Sequence, residues 1–295
     1  MKNSAPKNLP VSLPALLKGL PSWQRSHPPR SASYARLTRQ ARAAVLASSL
    51  GRKGKGVTDL GDLGLVRFPY TKMGKIDSLD LFGLDELILF SLYWKNRHRF
   101  RRAVDIGANL GLHSLIMARC GWKVTAYEPD PRHCSLLRRN LKLNHIRSVR
   151  VQEAAVSNRG GRAEFVRVAG NTTSSHLAGA KSGAYGKLEK FPVRLVAATK
   201  AMHGADFVKI DAEGHECEIL ESIPRAVWRR VCFVLEIGTL KNARRIRRWA
   251  TQNQLKVCAQ KIGWGICRRL ADFPASYREG RVIISSLGNR RVLAV

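Results

Sequence analysis

Acidic residues are scarce in this chain of 295 residues. Asp and Glu together number 21 against 52 Lys and Arg, so the formal net charge at pH 7 is +31, and the first acid is Asp59. So basic a surface attracts polyanions, such as nucleic acids or anionic membrane and glycan surfaces. The charge favours a polyanion partner, identifies no substrate, and is also compatible with a role in solubility alone.

Long apolar runs and paired cysteines are missing as well. No apolar run approaches the roughly 20 residues that a membrane-spanning helix needs, so we expect no transmembrane segment. The six cysteines are scattered without a CxxC pair, which predicts reduced thiols in an intracellular, cytoplasmic protein. No set of ligands is clustered with the spacing of a zinc site, so we expect no metal.

Residues 1–58 contain no acid, and residues 1–33 hold six of the twelve prolines. Because proline interrupts helices, we expect a basic, Pro- and Ser-rich, flexible extension over residues 1–58 and a folded domain over residues 59–295. Only residues 34–56 could form a short basic helix, closed by Gly51. Such an extension is typical of a mitochondrial or other organelle targeting signal, of an arm that folds on nucleic acid, or of a plain tail.

Short apolar strands alternate with helices from about residue 102 onward. Strand, helix, strand, helix and strand follow within about fifty residues, which predicts right-handed crossovers and a parallel sheet. The predicted fold class is therefore α/β, a doubly wound, Rossmann-like sheet with helices on both faces. Predicted strands are 102–106, 123–128, 149–154, 161–168, 206–210, 231–237, 255–260 and 281–287; predicted helices include 111–120, 131–144, 217–223 and 240–254.

Residues 171–187 interrupt this pattern with the polar, Gly- and Ser-rich stretch NTTSSHLAGAKSGAYGK. We expect a long mobile loop here. Long loops of this kind often cover ligand sites, so this loop is a candidate lid, although none of its residues identifies a substrate.

The stretch DIGANLG, residues 105–111, follows a predicted strand and opens a predicted helix. Gly107 and Gly111 allow the backbone to bend sharply and a ligand to lie against it, and amides at the helix start point into that space. A dinucleotide fingerprint requires G-x-G-x-x-G, but Asn109 stands in place of its second glycine. Asp105, just before the loop, suits a cationic ligand better than a pyrophosphate.

Glu128 ends the next predicted strand. In a doubly wound sheet this position lies at the carboxyl edge, near the glycine loop, where a carboxylate can bind both hydroxyls of a ribose. A ligand with an adenosine, an amino group and a sulfonium cation satisfies all of these features. We therefore predict S-adenosylmethionine (SAM) as the cofactor.

A second acidic stretch, VKIDAEGHE, lies at the carboxyl end of another predicted strand. Lys209 and Asp211 alternate along that strand and so share one face. A strand-end aspartate beside a lysine has no simple structural use, which makes Asp211 a candidate functional carboxylate. Acids at the start of the following helix also serve as caps. The turn and the helix start contain Glu213, His215 and Glu216.

In order and spacing, the motifs DIGANLG, AYEPDP, LLRRNLKLN, VKIDAEGHECEIL and LEI resemble those of the FkbM family of class I SAM-dependent methyltransferases. The resemblance covers roughly residues 82–240, the core motifs of the folded domain. It implies a Rossmann-like, seven-stranded, mostly parallel sheet and, usually, methylation of a hydroxyl oxygen.

The resemblance also implies roles for individual residues. The adenine would lie near Glu153 or Ala154, and Glu236 matches the acid that ends the fifth strand of the family. One family feature is missing, because LVAATKAMHG stands where the family has a threonine–leucine–aspartate–aspartate run. The implied cofactor-binding residues are Asp105, Gly107, Asn109, Gly111, Glu128, Glu153, Ala154 and Asp211.

Methylation of a hydroxyl requires that its proton be removed in or before the transition state. Asp211 is the first candidate for the catalytic base, and Lys209 would hold it ionised or stabilise the developing alkoxide. His215 is a second candidate base, although an isolated turn histidine is more often a surface residue. Glu236 would position the acceptor or satisfy backbone donors at the sheet edge.

Three functions fit these residues. The first is an O-methyltransferase for the hydroxyl of a saccharide or small molecule, which the resemblance favours. The second is an RNA methyltransferase acting on a ribose 2′-hydroxyl, which the charge favours. The third is a nucleic-acid-binding protein with a degenerate methyltransferase fold. In each case the basic N-terminal arm and the Arg-rich C-terminal third are candidate polyanion-binding surfaces.

Overall fold

The computed structural model of the protein describes residues 12–51, 53–180 and 186–286. Residues 1–11 of the predicted extension and residues 181–185 of the predicted loop lie outside the described residues. The described part contains one large mixed sheet, a smaller four-stranded sheet and helices on both faces of the large sheet.

In the described residues, three α-helices and two small hairpins precede the main sheet. Serine side chains cap the first two helices: Ser12 and Ser31 accept hydrogen bonds from the backbone amides of Ala15 and Tyr34, as N-cap residues do. The elements are α1 (Leu13–Gly19), α2 (Ala32–Ala47), β1 (Val57–Asp59), β2 (Leu65–Arg67), β3 (Lys72–Met73), β4 (Ile76–Asp77) and α3 (Leu84–Lys95).

For residues 12–51 the structure shows packed helices instead of the flexible extension that we expected. Leu16, Leu20 and Leu37 are fully buried against the rest of the core, and each buried leucine stabilises the fold by about 1.5–3 kcal/mol. Prolines and missing acids indicate an extension, but leucines at helical spacing give these helices an apolar face that packs on the core. The helix in this segment also ends at Ala47 and not at Gly51.

The remaining elements alternate as the sequence predicts, with additional short ones. In chain order they are β5 (Arg102–Ile106), α4 (Leu112–Arg119), β6 (Lys123–Glu128), α5 (Pro131–Leu143), β7 (Val149–Glu153), β8 (Ala155–Ser157), β9 (Gly161–Val168), β10 (His176–Leu177), β11 (Leu188–Ala197), α6 (Ala198–Ala201), β12 (Phe207–Ile210), α7 (Glu216–Glu221), α8 (Arg225–Trp228), β13 (Cys232–Glu236), α9 (Leu240–Gln252), β14 (Leu255–Ala259), β15 (Gly265–Ile266) and β16 (Arg281–Ser286).

The large sheet has the strand order β15–β14–β16–β13–β12–β5–β6–β7. Strands β5, β6, β7, β12 and β13 are parallel, and β16 runs antiparallel to both of its neighbours. Within residues 12–286 as described, this sheet has eight strands and not the predicted seven. The extra strand, β15, pairs with β14, because Gly263 and Trp264 turn the chain back with left-handed φ angles of 67° and 65°.

Helices cover both faces of this sheet, as predicted. Neighbouring residues of one strand point to opposite faces: Phe207 packs in the core under α1–α5, and Val208 packs in the core under α6–α9. The first core contains an aromatic cluster in which the ring of Phe207 lies 5.2 Å from the rings of Phe100 and Trp122. The sheet is therefore held rigidly, and its carboxyl edge can position a site.

A smaller sheet, of order β10–β9–β11–β8, extends from the end of β7. A buried ion pair anchors it, since Arg167 of β9 donates to both carboxylate oxygens of Asp130 at 2.6 Å. Asp130 also caps α5. The second sheet is thus fixed to the loop that follows Glu128, at the carboxyl edge of the large sheet.

Two expectations from composition can be compared with the described residues. All six cysteines are free, and five of them are buried. Among the described helices, none is long and apolar enough to span a bilayer.

Candidate functional site

A cavity of about 340 Å³ lies at the carboxyl edge of the large sheet. Sites for small ligands are typically about 300–1,000 Å³, so its size suits a small molecule. Strands β5, β6, β12 and β13 contribute residues from their carboxyl ends, and α3 and the small sheet close the sides. Six predicted site residues line the cavity: Gly107, Asn109, Glu128, Asp211, His215 and Glu236.

The glycine loop is shaped by close contact with the loop after β12. Gly107 has a φ of 72°, and a Cβ atom on it would lie 1.9 Å from the carbonyl oxygen of Asp211. Only glycine fits that position. Gly111 does not line the cavity. It has a φ of 83° and begins α4, where a Cβ atom would lie 2.6 Å from Cγ of Leu137, so its role there is packing.

Asn109 joins the glycine loop to the end of β6. Its backbone amide donates to Oε2 of Glu128 at 2.8 Å, and its φ of 51° is one that Asn adopts more readily than most residues. The side-chain Oδ1 is buried and has no hydrogen-bond partner among the described residues. A buried polar atom without a partner is costly, so this oxygen is available to a donor on a ligand.

Glu128 lies where the sequence predicts, at the wall of the cavity. Its Oε2 accepts from Asn109, and its Oε1 accepts from the backbone amide of Asp130 at 2.9 Å. An ionised carboxylate has about four lone-pair sites, so two remain for a ligand. Burial raises the pKa of Glu128 to about 7, and the two backbone hydrogen bonds oppose that shift.

Asp105 is fully buried and does not line the cavity. Its Oδ2 accepts from Oγ of Ser114 at 2.7 Å, and its Oδ1 lies 3.3 Å from Nζ of Lys209. The structure thus places Asp105 behind the glycine loop, in contact with lysine and serine, and not against a ligand as we expected. Asp105 is next to the loop in sequence, but its side chain points toward Ser114 and Lys209.

Lys209 lies between two carboxylates. Besides Asp105, its Nζ contacts Oδ2 of Asp211 at 3.5 Å and the carbonyl oxygen of Gly107 at 3.4 Å. Burial opposes the charge of Lys209, but Asp105 and Asp211 outweigh it and raise the pKa of the ammonium. The side chain of Asp211 is 31% exposed and lines the cavity. Lys209 is therefore a fixed cation behind a carboxylate that faces the cavity.

The turn after Asp211 is held by Glu216. Its buried carboxylate accepts from the backbone amides of Ala212 and Gly214 at 3.0 and 3.1 Å, and burial raises its pKa to about 7. Capping therefore accounts for Glu216. His215 lines the cavity and its Nε2 lies 2.9 Å from Oγ of Ser157. Burial lowers the pKa of His215, which favours its neutral form.

Glu236 belongs to an ionic network that the sequence did not reveal. Its Oε1 lies 2.8 Å from the buried guanidinium of Arg281, which also contacts Glu86 at 2.5 Å. Burial opposes the ionisation of Glu86, but Arg281 and His113 hold its pKa well below its usual range. Burial raises the pKa of Glu236 to about 8, with Arg281 opposing the shift.

Glu86 and Arg281 are therefore cavity residues that sequence reasoning missed. Glu86 lies in the first turn of α3, where acids are common because of the helix dipole, and Arg281 begins a strand that was predicted only to close the sheet. The two residues are 195 positions apart. The one signal for Arg281 in the sequence is its charge at the first position of an otherwise apolar strand start, RVII.

Glu153 and Ala154 do not line the cavity. Glu153 is exposed and pairs with Arg138 at 3.5 Å, and Ala154 is fully buried. The next two residues, Ala155 and Val156, form the apolar wall instead. The placement of the adenine near Glu153 or Ala154 stays a prediction, although neither residue lines the cavity.

The described part of the predicted loop is ordered structure at the cavity. Thr172–Ser174 form a 3₁₀ turn, followed by β10. Thr172, His176 and Leu177 line the cavity, and Oγ1 of Thr172 lies 3.0 Å from Nε2 of His133. Residues 171–177 therefore form one wall of the site.

A family model described as the methyltransferase FkbM domain matches residues 105–254, just over half of the chain. The chain belongs to the FkbM methyltransferase family. It is accordingly a SAM-dependent methyltransferase, as the motifs predicted. A comparison with curated proteins gave no match.

Several solved structures are similar in fold to this FkbM methyltransferase. A precorrin-6y C5,15-methyltransferase from Geobacter metallireducens has a TM-score of 0.38 and 15% identity, covering 66% of this chain and 85% of its own. A ribosomal protein L11 methylase from Lactobacillus delbrueckii has a TM-score of 0.36 and 11% identity, covering 66% and 77%. The hMettl16 catalytic domain, in complex with a MAT2A 3′UTR hairpin, has a TM-score of 0.44 and 13% identity, covering 84% and 83%. At these levels the similarity concerns the fold alone.

Family membership implies SAM, and the residues of the cavity fit it. Glu128 offers acceptor sites to a diol, Ala155 and Val156 offer an apolar wall, and Asn109 has a buried oxygen without a partner among the described residues. Carboxylates also line the cavity close together, which suits a ligand with a sulfonium and an ammonium group. Among the described residues, no group of three or more His, Cys, Asp or Glu side chains has the arrangement of a metal site.

Proposed function

We propose that this FkbM methyltransferase transfers the methyl group of SAM to a hydroxyl oxygen of a saccharide or another small molecule without phosphate groups. The observation that supports this most is the position of Asp211. It follows β12 at the cavity, its backbone amide is fixed to the carbonyl of Ile106 at 3.0 Å, and its side chain remains partly exposed. A carboxylate fixed in this way can receive the proton of an acceptor hydroxyl.

The cofactor would be held by the wall nearest β5 and β6. Glu128 would accept from the ribose hydroxyls, Ala155 and Val156 would contact the adenine, and Asn109 would accept from a donor of the cofactor. Bound SAM supplies an electrophilic methyl group. Asp105 acts on this wall indirectly, since it fixes Lys209, whose ammonium contacts the carbonyl of Gly107.

Asp211 would orient the acceptor and take its proton, with Lys209 behind it. The ammonium of Lys209 lies 3.5 Å from Oδ2 of Asp211 and holds this carboxylate in place at the cavity. His215 is the alternative base, because it lines the same cavity and burial keeps it neutral. Its ring nitrogen is already in contact with Ser157, which favours a positioning role for His215.

The charge of the cavity supports an acceptor without phosphates. Arg281 is already paired with two carboxylates. The carboxylates at the cavity repel a phosphate group, because charges in a partly buried site interact strongly. Five carboxyl groups on the side of β12 and α3 line this end of the cavity: Asp80, Glu86, Asp211, Glu213 and Glu236. Burial raises the pKa of Glu236 to about 8, so the repulsion at neutral pH comes from the others.

Methylation of a ribose 2′-hydroxyl in RNA is the second candidate function. The net charge of +31 supports it, and the same base would serve. Its weakness is that RNA would have to bring flanking phosphates to an acidic cavity. The nucleic-acid-binding function without catalysis is less well supported than either, since the chain belongs to a methyltransferase family and its cavity fits SAM.

Labelled SAM distinguishes these candidates. The enzyme would be incubated with methyl-labelled SAM in three separate reactions. One contains neutral oligosaccharides, the second a small-molecule extract and the third total RNA. We expect label in a saccharide or small-molecule fraction, stable to alkali as a methyl ether is. Label that alkali removes would indicate a methyl ester and contradict hydroxyl methylation. Label found only in nuclease-sensitive material would overturn the proposed acceptor in favour of RNA.

A further inference from the structure

A second concave surface lies at the opposite edge of the large sheet. Strands β5, β6 and β7 begin there, and their first residues form a groove of about 470 Å³ with the chain before β12. The side chains of Arg102, Lys123, Arg147 and Arg150 line this groove and are all exposed. His203 lines it as well. We call this surface the basic groove.

The one carboxylate described next to the groove is that of Asp206, which is buried and accepts from the backbone amides of Arg101 and Arg102. Among the residues that the structure describes, no Asp or Glu lines the groove, and none of its four cations has an ion pair. This is unlike Arg245, which pairs with Glu218 and Glu221. Exposed like charges that converge in one concavity repel each other and raise the local potential, so the groove is electrostatically suited to an anion.

The positive surface continues beyond the groove. Arg147 also lines a neighbouring hollow with Lys142, His145 and Arg138. No carboxylate of the described residues lines this hollow, although Arg138 pairs with Glu153 outside it. Two adjoining concavities that share one arginine suit an extended ligand with repeated negative charges better than a single phosphate ion.

We infer that the basic groove binds the phosphodiester backbone of a nucleic acid, without reading its bases. No Phe, Tyr or Trp lines either concavity in the described part of the chain, so base stacking of the kind used by sequence-tolerant single-strand binders is not provided. Phosphate contacts from Lys and Arg supply affinity that falls with salt. The ligand is defined by its backbone charge, which RNA and DNA share.

This binding surface is separate from the catalytic cavity. The groove and the cavity share no lining residue, and the first and last Cα atoms of the five-residue strand β5 lie about 13 Å apart. A nucleic acid in the groove therefore docks the enzyme without entering the cavity. The inference does not depend on the nature of the methyl acceptor.

Charge reversal in the groove tests the inference. The variant Lys123→Glu/Arg147→Glu/Arg150→Glu would be titrated with fluorescent 20-nucleotide single-stranded RNA and DNA at several salt concentrations. We expect affinity to fall by at least about 30-fold and the slope of log affinity against log salt to fall by about 0.7 for each lost contact. The milder variant Lys123→Gln/Arg147→Gln/Arg150→Gln should move in the same direction.

The matched variant reverses three exposed arginines of α9, Arg244→Glu/Arg247→Glu/Arg248→Glu, which changes the net charge equally. These arginines belong to the Arg-rich C-terminal third, the rival surface from the sequence, and the inference places the binding site in the basic groove instead. We expect its affinity to stay within about threefold of wild type. Retained SAM affinity in the groove variant would show that it is folded. A loss in either the RNA or the DNA arm supports the inference and identifies the polymer.

Three results would overturn the inference. One is a groove variant that binds both polymers as wild type does. Another is an equal loss in the α9 variant, which would indicate net charge alone or binding that also uses α9. The third is a groove-dependent loss of heparin binding with no change for either nucleic acid, which would indicate a sulfated glycan as the partner.

Discussion

The ammonium of Lys209 lies 3.3 Å from the carboxylate of Asp105 and 3.5 Å from that of Asp211. Lys209 and Asp105 are register partners on the parallel strands β12 and β5. Asp105 is fully buried, whereas Asp211 faces the cavity. One cation thus neutralises an interior charge and holds the carboxylate to which we assign proton removal.

Substitution of Lys209 by methionine should be strongly destabilising. It leaves Asp105 buried without a cation, and breaking a buried pair in this way costs about 3–5 kcal/mol. Urea unfolding measures the loss. Lys190→Met is the control, since Lys190 pairs with Glu164 on the surface, and such pairs contribute about 0–1 kcal/mol. Equal effects of the two substitutions would contradict the assigned role of Lys209.

Gly107→Ala should weaken SAM binding and the fold together. Its Cβ atom would collide with the carbonyl oxygen of Asp211, which must move and shift the cavity wall. Gly121→Ala is matched to it, because Gly121 also has a left-handed φ, 84°, but nothing lies within 4 Å of its Cβ position. Both variants bear backbone strain of about 1–3 kcal/mol. We expect calorimetry to show a loss of SAM affinity for Gly107→Ala alone. The loss should be about tenfold or more, which corresponds to about 1.4 kcal/mol.

SAM affinity should rise with pH through the range in which Glu128 ionises. Burial places the pKa of Glu128 at about 7, and the ionised form offers more acceptor sites to the ribose hydroxyls. The affinity should therefore increase from pH 5.5 to about pH 7 and level off above it. Glu128→Gln cannot ionise at this position, so its calorimetric pH profile reports only the titration of SAM itself. The difference between the two profiles gives the contribution of Glu128. A profile that is identical in both proteins would show that Glu128 does not bind the ribose.

The N-terminal segment should behave as part of the core. Leu37 is fully buried in α2, so Leu37→Ala should cost about 2–5 kcal/mol in urea unfolding. Leu46, in the same helix, is 58% exposed, and Leu46→Ala should change stability by less than about 0.5 kcal/mol. If both variants unfold at the same urea concentration as wild type, the segment is not packed.

The sequence predicts the parts of the site that are local. Gly107 and Asn109 follow a strand end in DIGANLG, and Asp211 follows another strand end in VKIDAEGHE. Because parallel strands end together, these residues lie at one edge of the sheet. The position of Glu128 at this edge follows from the same rule. These inferences depend only on strand direction and on residue type.

Contacts between distant segments could not be predicted in this way. Arg281 reaches Glu86 across 195 positions, and Gln260 bonds both Asp85 and the carbonyl of His27. The hydrogen bond from Gln260 to His27 joins the N-terminal segment to a distant, C-terminal part of the chain. The N-terminal segment is therefore folded against residues that lie far from it in sequence. Composition alone, with its prolines and missing acids, indicated a tail. The assignment of residues 1–58 to targeting remains a prediction.

The most direct test of the account is single-turnover methyl transfer with saturating SAM and the acceptor that labelling identifies. Asp211→Asn keeps the shape of the side chain but removes the base. We predict that it slows transfer at saturating SAM by about 10²–10⁴-fold, whereas the surface substitution Glu164→Gln transfers methyl groups at the wild-type rate. Transfer by Asp211→Asn at the wild-type rate would contradict the account.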